Sequence, residues 1–459
     1  MPINDSTVQQ IWGEVERVDT YARLGLSRNP FPASGDPPAS PTIPPCPEVY
    51  EQIAGFVKRF LRSRQSQGLV LLGDYGTGKT YHLRWIQSLL EAKPEVAIRV
   101  VSIETPGLEP YDLVRGTLAQ VGDQELARAI WAIVQPVLRE EIQTQGQQFF
   151  TQFAEGTVKG RGGRQKTLES AGMEYRWMEM SEETFHDYRA FLSAFDRTGA
   201  LSREKLRDWA VGPLCRTKQE GGLGVTRNVA VAREMANLCF LSGARALQSW
   251  ERLTVPGGKS PFPLQGEPEF LQAILRLLVA TGTEYFVLLL DEFEKVPLME
   301  NLTEREMKRY LDTVRMLADR GWQEEALPFA WIIASHDEAW SLVRDKLNQA
   351  LAERFPTEVN LPRSNDPSVA RYLVAQHLAL VRLTPMPQDS LQPLPENLID
   401  LIPAGLRRTP RDLLVLCYDL VEEAVGSPSR DPLQITDSFV TEFVKRKAFL
   451  KTDRETTEQ

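Results

Sequence analysis

A short segment of glycines, a lysine and threonines is the part of the chain whose residue types and spacing best fit a chemical task. The segment GDYGTGKT (residues 73–80) matches the spacing G-x-x-x-x-G-K-[ST] through Gly73, Gly78, Lys79 and Thr80. Glycines in such a turn let successive backbone N–H groups face an anion. A helix that begins at the end of the turn adds its positive dipole end. This segment, called the phosphate loop below, therefore predicts a site for nucleotide phosphates.

The motif assigns a role to the polar residues of the phosphate loop. The ammonium group of Lys79 is expected to reach the β- and γ-phosphates during catalysis, and the hydroxyl of Thr80 to ligate Mg²⁺. ATP and Mg²⁺ are the predicted cofactors. The predicted cofactor-binding residues here are Gly73, Asp74, Tyr75, Gly76, Thr77, Gly78, Lys79, Thr80 and Tyr81. A chance glycine-rich turn is the alternative, but the apolar run before the loop and the helical pattern after it favour phosphate binding.

Two adjacent carboxylates form the second group with a chemical task. In FVLLLDEFE (residues 286–294), Asp291 and Glu292 end a very apolar run. Carboxylates at the end of a buried strand are costly unless they serve a cation or a water molecule. We expect Asp291 to orient the Mg²⁺ shell and Glu292 to polarise the attacking water, which predicts ATP hydrolysis. A surface Asp–Glu pair at a strand end is the alternative.

Short apolar segments that alternate with helical patterns must position these groups. The predicted strands are residues 69–73, 97–104, 285–292, 328–336 and 357–362. This alternation predicts an α/β fold with a five-stranded parallel sheet and helices on both faces. Residues 124–275 contain helical periods and few β-branched runs, so we expect a large helical insertion there.

The chain divides into three predicted domains. Residues 1–48 are expected to form an N-terminal helix and a proline-rich arm, residues 49–361 the interrupted core, and residues 362–459 a helical segment with a polar tail. The arm should be extended because prolines and turn residues are dense in it. Its apolar side chains are expected to anchor it against the domain that follows; they are Leu24, Leu26 and Phe31.

Composition limits the classes of function. The chain of 459 residues is 42% hydrophobic and 25% charged, which is ordinary for a globular protein. Its net charge of -9 gives no overall attraction to nucleic acid or anionic membranes. The four cysteines and four histidines are scattered, which predicts a reducing compartment and no structural metal. No apolar run has the length of a membrane span and no secretory leader is recognisable, so we expect a cytoplasmic protein without a membrane partner.

The order of these motifs resembles that of the AAA+ ATPases. GDYGTGKT is followed by LLLDE, by a strand ending in a polar residue, by an arginine and by a helical segment containing TPRD. The resemblance implies a P-loop ATPase core, a C-terminal helical lid and assembly into a homo-oligomer, as a ring or a filament.

Three further site residues are implied by the resemblance. Sensor 1 corresponds to Ser335 at the end of a predicted strand, and the arginine finger to Arg354 before the last strand. Sensor 2 corresponds to Arg411 within TPRD. For Arg354, a helix-end arginine that interacts with the helix dipole is the alternative. The residues that compete for the two sensor roles are His336, Arg407 and Arg408.

Two narrower resemblances concern the biological role. LGLSRNPF (residues 24–31) is similar to a segment of the subgroup that contains ExeA-type secretion ATPases and the transposition ATPases TniB and TnsC, near the replication initiators. LRDWAVGPLCRTKQEGGLGV (residues 206–225) is similar to a stretch in ATP-binding proteins of BREX-like phage-defence loci. These resemblances imply an oligomeric switch on duplex DNA that recruits or licenses a partner enzyme, in transposition targeting or phage defence.

A basic segment within the insertion is the candidate contact with nucleic acid. VKGRGGRQK (residues 158–166), called the basic segment below, carries Lys159, Arg161, Arg164 and Lys166. Such a segment can follow a phosphate backbone without reading bases, and a solvated loop is the alternative. The acidic net charge favours a second function, a signalling or scaffold ATPase whose insertion binds a protein effector without nucleic acid. Both functions stay open at this point.

Overall fold

The computed structural model describes most of the chain. The described residues are 21–34, 38, 41–107, 109, 111–145, 149–150, 152–153, 158–159, 165–166, 185–197, 201–215, 224–255, 266–298, 303–322, 327–426 and 435–457. Of residues 158–159, 165–166, 266–267, 320, 322 and 450–457, only the backbone is described. The helix predicted within residues 1–20 lies outside the described residues.

Helices and short strands alternate along the described chain. The helices are α1 Pro47–Ser63, α2 Lys79–Glu91, α3 Tyr111–Val121, α4 Asp123–Gln145, α5 Tyr188–Arg197, α6 Arg203–Cys215, α7 Val229–Phe240, α8 Ala244–Thr254, α9 Gly266–Ala280, α10 Glu304–Trp322, α11 Asp337–Leu342, α12 Gln349–Ala352, α13 Pro367–Ala379, α14 Leu398–Leu401, α15 Pro410–Gly426 and α16 Asp437–Thr457. The strands are β1 Gln67–Leu72, β2 Ile98–Ile103, β3 Val158–Lys159, β4 Gln165–Lys166, β5 Tyr285–Leu290, β6 Phe329–Ser335 and β7 Thr357–Asn360.

Five of the strands form one parallel sheet in the order β2-β5-β6-β1-β7, which confirms the predicted α/β fold with a five-stranded parallel sheet. The register pairs Ile98 with Tyr285 between β2 and β5, and Phe286 with Phe329 between β5 and β6. Every residue of β5 and β6 is buried. Continuous apolar runs of this kind suit parallel strands that are covered on both faces.

The chain forms two compact units. The first consists of Met1–Gly55, Leu71–Ser88 and Val359–Gln459, and the second of Phe56–Val70 and Leu89–Glu358. The arm, the phosphate loop and the C-terminal helices thus belong to one unit. Contacts between distant parts of the chain, rather than order along it, define such a unit.

Helices α4 to α9 occupy most of the described part of the predicted insertion, in the second unit. Their core contains an aromatic cluster in which Phe149 contacts Phe153 and Trp209 edge to face, with ring centroids 5.2 and 5.4 Å apart. Phe149, Phe150 and Phe153 are each 1% exposed, so they are core residues. Strands β3 and β4, which are the two ends of the basic segment, form a short antiparallel pair.

The arm packs its apolar side chains against the C-terminal helices of the first unit. Leu24, Leu26 and Phe31 are at most 5% exposed and share a cluster with apolar residues of α13, α15 and α16. We expected these anchors to contact the domain that follows the arm. They pack against the C-terminal helices instead, because those helices carry the apolar faces that the anchors complete.

Polar contacts hold the arm in the same place. The side-chain amide of Asn29 donates to Glu422 Oε1 at 2.7 Å, and the hydroxyl of Tyr21 also donates to Glu422. His377 Nδ1 lies 3.1 Å from the carbonyl oxygen of Pro30, which can only accept. Burial lowers the pKa of His377 to about 4, so the imidazole is neutral at physiological pH and Nδ1 carries the proton.

Among the described helices, none combines the length and the apolar character needed to cross a membrane. All four cysteines are described, and each is a free thiol.

We predict that the arm contributes directly to stability. Leu26→Ala should lower the free energy of unfolding by about 2–4 kcal/mol because Leu26 is 0% exposed. Leu380→Ala is the matched control: Leu380 is 54% exposed, and its truncation should change stability by less than about 0.5 kcal/mol. Urea unfolding monitored by circular dichroism measures both. Equal effects in the two variants would show that the arm is not part of the folded unit.

Candidate functional site

The phosphate loop turns from a buried strand into a helix through positions that suit only glycine. Strand β1 ends at Leu72 and α2 begins at Lys79. Gly76 and Gly78 have φ angles of +80° and +92°, which L side chains rarely adopt. A Cβ atom at Gly73 would lie 2.5 Å from Thr77 Oγ1. Glycine at these positions therefore allows the tight backbone turn between β1 and α2.

The side chain of Lys79 lies within this loop. It is 8% exposed, and its Nζ donates to the carbonyl oxygens of Gly73 and Asp74 at 2.9 and 3.4 Å. The ammonium also lies 5.2 Å from the centroid of the Tyr75 ring. The hydroxyl of Thr77 donates to Asp74 O at 2.8 Å. A buried cation is thus held beside the backbone where the sequence predicted phosphate binding.

Tyr81, predicted as a cofactor-binding residue, turns its hydroxyl to the arm. The hydroxyl donates to the carbonyl of Ile43 at 2.8 Å and accepts from the Ile43 N–H at 3.1 Å. Burial raises the pKa of Tyr81 to about 12, so the hydroxyl keeps its proton at physiological pH. Any contact of Tyr81 with a nucleotide must therefore come from its backbone or its ring.

The start of α15 contacts the tip of the phosphate loop, within the first unit. The N–H of Arg411 donates to Gly76 O at 3.2 Å, and a Cβ atom at Gly76 would lie 2.8 Å from Thr409 Oγ1. Thr409 and Asp412 each accept the other's N–H at 3.2 Å, which forms a reciprocal helix cap. TPRD (residues 409–412) therefore spans the start of α15, and the backbone of Arg411, the second residue of this helix, lies next to the loop.

Of the arginines near Arg411, Arg407 has a structural role. Its guanidinium donates to the carbonyl oxygens of Ile402, Ser364 and Asn365 at 2.6–3.2 Å, and the residue is 7% exposed. These bonds hold three backbone carbonyls together, so Arg407 does not compete with Arg411 for the predicted sensor role.

One ion pair at the phosphate loop was not predicted. Arg363, which follows β7, pairs with the carboxylate of Asp74. A carboxylate inside an anion site opposes anion binding, and a neighbouring guanidinium offsets its charge. The sequence could have indicated this residue, because Arg363 directly follows the predicted strand 357–362. The candidates Asp291 and Ser335 likewise lie at the ends of predicted strands.

The carboxylate pair of the second unit differs from an ordinary surface pair. Asp291 is 6% exposed, and its Oδ1 accepts the N–H of Glu292 at 2.9 Å. Glu292 has φ +51°, a left-handed conformation that is uncommon outside glycine. Its Oε2 accepts from the Thr105 hydroxyl at 3.0 Å and from Lys295, and both contacts fall on this oxygen. The carboxylate of Glu292 is thus held in one orientation, and its Oε1 takes no part in these two contacts.

The remaining predicted residues of the second unit lie on β6 and after α12. Ser335 ends β6, is 0% exposed, and its hydroxyl donates to His336 O at 3.4 Å. The side chain of His336 caps α11 by accepting the N–H of Glu338 at 3.3 Å. Arg354 donates from Nε to Asp319 Oδ1 at 2.7 Å.

The basic segment is described in part. Lys159 and Lys166 belong to β3 and β4, of which the backbone is described. Arg161 and Arg164 lie outside the described residues. The nucleic-acid hypothesis for these four residues stays a prediction.

The first-unit residues fit a nucleotide polyphosphate. The loop combines a cation that is 8% exposed, left-handed glycines and a helix that begins at Lys79. The described residues contain no group of three or more His, Cys, Asp or Glu able to hold a metal ion. Mg²⁺ commonly takes one or two protein ligands, and phosphate oxygens and water complete its shell. The sequence predicts Thr80 and Asp291 as the protein ligands of this ion.

Comparisons with known proteins give no family assignment. No protein-family model matches the chain, and no curated protein matches it. Support for a function therefore comes from the geometry described above and from the resemblance in sequence motifs.

We predict that replacing Gly76 with alanine lowers the stability of the protein. Gly76→Ala should destabilise the protein by about 1–3 kcal/mol, because a Cβ atom would be placed in a left-handed conformation and against Thr409. In Gly212→Ala, the control, the new Cβ meets nothing within 4 Å inside α6, so stability should rise by up to about 1 kcal/mol. Denaturant unfolding compares the two. An unchanged stability of Gly76→Ala would contradict the described loop geometry.

Proposed function

We propose that the protein is an ATPase of the AAA+ class that binds ATP with Mg²⁺ at the phosphate loop and hydrolyses it. The observation that carries this proposal is the buried ammonium of Lys79 inside a glycine turn between β1 and α2. The position of β1 adds support. In open parallel sheets, ligands bind outside the carboxyl ends of strands where the strand order reverses. Strand β1 lies between β6 and β7 in the sheet. The next strand of this sheet along the chain, β2, follows α2 and lies at the edge of the sheet, beyond β6 and β5.

In this proposal the residues of the loop bind and orient the phosphates. Lys79 exchanges a carbonyl contact for a phosphate oxygen, and the N–H groups at the start of α2 face the anion. Thr80 and Asp291 would hold Mg²⁺, which would supply positive charge to neutralise the phosphates. The C-terminal helical segment is the proposed lid, with Arg411 as sensor 2. The contact of the Arg411 N–H with Gly76 O supports this assignment.

Glu292 is the proposed general base, and Ser335 or His336 the proposed sensor 1. A carboxylate that accepts a proton from water needs an oxygen open to that water. The side-chain hydrogen bonds from Thr105 and Lys295 both use Oε2 of Glu292, and this side chain is 42% exposed, so Oε1 can serve this purpose. Strand β5, which leads to Glu292, belongs to the same parallel sheet as β1.

Arg354 is the proposed arginine finger of a homo-oligomer, either a ring or a filament. Its ion pair with Asp319 uses Nε, and the side chain is 35% exposed. A guanidinium has five N–H donors, so the Nη groups can bind a phosphate on a neighbouring subunit while Nε keeps its partner. Asp319 then orients the finger and does not compete with its function.

The proposed biological role is a switch on duplex DNA that recruits or licenses a partner enzyme, in transposition targeting or phage defence. The motif resemblances and the basic segment support this role. ATP binding would change the assembly, and a protein effector would recognise the changed assembly. We further propose that the protein acts in the cytoplasm.

We predict that two substitutions separate ATP binding from hydrolysis. Lys79→Ala should reduce ATP affinity at least about 100-fold, because a charge-assisted contact worth roughly 3 kcal/mol is lost. Glu292→Gln should keep ATP affinity and lower the hydrolysis rate about 100-fold or more. Equilibrium binding of a labelled ATP analogue and phosphate release measure the two effects.

Two exposed residues serve as matched controls for these variants. Lys93→Ala and Glu304→Gln should bind and hydrolyse ATP as the wild type does, because both side chains lie on the surface. Tight ATP binding by Lys79→Ala would refute the phosphate-site proposal. Normal turnover by Glu292→Gln would remove only the assignment of the general base.

We predict that DNA binding is sequence-independent and depends on the basic segment. Changing Lys159, Arg161, Arg164 and Lys166 to alanine should weaken binding to duplex DNA and reduce the slope of log affinity against log salt by about 3–4, since each lost phosphate contact contributes about 0.9. Basal ATPase activity should be unchanged. Gel shifts at several salt concentrations, with a non-hydrolysable ATP analogue present, measure this.

A second quadruple variant controls for the change in net charge. It replaces exposed basic residues outside the basic segment, namely Lys58, Arg59, Arg62 and Lys93. This control should bind DNA as the wild type does. Equal losses in both variants would mean that net charge alone attracts DNA. Absence of DNA affinity in the wild type would favour the scaffold ATPase that binds a protein effector.

A further inference from the structure

A histidine behind the phosphate loop contacts the loop backbone. His82, in the first turn of α2, is 9% exposed, and its Nδ1 lies 2.7 Å from the carbonyl oxygen of Gly78. The same carbonyl accepts the backbone N–H of His82 at 2.9 Å. A carbonyl oxygen can only accept, so Nδ1 carries the proton in this contact. The side chain thus adds a second donor to the carbonyl that precedes Lys79.

The direction of this carbonyl determines the direction of a neighbouring donor. The carbonyl of Gly78 and the N–H of Lys79 belong to one planar trans peptide, so they point in opposite directions. Gly78 has φ +92° and no Cβ atom, and its own conformation is therefore weakly restricted. The His82 side chain holds the Gly78 carbonyl on the side of the peptide that faces α2. The Lys79 N–H, on the opposite side of the same peptide, is thereby kept directed away from α2.

We propose that His82 is a positioning residue for phosphate binding. Its Nδ1–H fixes the peptide between Gly78 and Lys79 before the ligand arrives, so that the Lys79 N–H is already oriented towards a phosphate oxygen. The ligand class is a nucleotide polyphosphate or inorganic polyphosphate, because a backbone donor recognises phosphate oxygens and not the base. The proposal rests on the proposed function, in which this loop binds the phosphates of ATP.

The chemistry of the site distinguishes positioning from simple filling of space. Burial lowers the pKa of His82, which favours the neutral imidazole, and the Gly78 carbonyl selects the tautomer with hydrogen on Nδ1. An apolar residue fills the same volume but offers no donor. Asparagine can place its amide nitrogen near the position of Nδ1, whereas glutamine reaches the position of Nε2.

The test compares His82→Leu, His82→Asn and His82→Gln with the wild type. Isothermal calorimetry measures the affinity for tripolyphosphate and for ATP, and hydrogen exchange of the peptide that covers residues 73–82 measures loop order without ligand. We expect His82→Leu and His82→Gln to bind both ligands about 5- to 10-fold more weakly, the loss of one hydrogen bond, and to exchange faster. His82→Asn should stay within about twofold of the wild type in both measurements.

Each outcome separates this inference from the proposed function. Wild-type affinity in His82→Leu and His82→Gln, or equal losses in all three variants, would overturn the positioning role while ATP binding by the wild type stands. If the wild type itself binds neither ligand, the proposed function fails and this inference fails with it. Should His82→Leu not fold, as its thermal unfolding would reveal, the contrast between His82→Asn and His82→Gln decides the question.

Discussion

The hydrogen bond from Lys79 Nζ to the carbonyl of Gly73 is the interaction on which the phosphate loop depends. An ammonium group removed from water loses several kcal/mol of solvation unless acceptors replace the water. Here the carbonyls of Gly73 and Asp74 and the ring of Tyr75 surround it. These groups can reach one cation because the chain reverses through left-handed glycines. The loop thus holds a buried ammonium whose positive charge is only partly neutralised by carbonyl oxygens. A negatively charged phosphate can neutralise this charge more completely than the carbonyls do.

Segments distant in sequence support the loop from outside. The arm binds Tyr81 through the backbone of Ile43, and the start of α15 binds Gly76 through Arg411. Since the arm also packs against α13 and α15, its displacement would loosen two supports together. This shared support explains why residues far apart in sequence form one compact unit.

The parts of the fold that local patterns determine were predictable from the sequence. The five strands begin and end within a few residues of the predicted positions, because continuous apolar runs between helices have one common structural solution. Contacts between distant segments were not predictable. Nothing near Leu26 indicates packing against the C-terminal helices, and nothing near Arg354 indicates pairing with Asp319. Similarly, spacing alone did not separate Arg407 from Arg411, because the guanidinium of Arg407 binds three backbone carbonyls that only the folded chain brings together.

The backbone of Glu292 is the strongest reason to treat the carboxylate pair as functional. A non-glycine residue with φ +51° costs about 1–2 kcal/mol, and a surface residue free to relax would adopt another conformation. Glu292 retains it because Asp291 binds its N–H, while Thr105 and Lys295 bind its Oε2. Strain that the surroundings maintain is found preferentially where a side chain must keep one orientation. For the general base proposed above, the retained orientation leaves Oε1 outside these contacts, and the contacts that fix Oε2 limit rotation of the carboxylate.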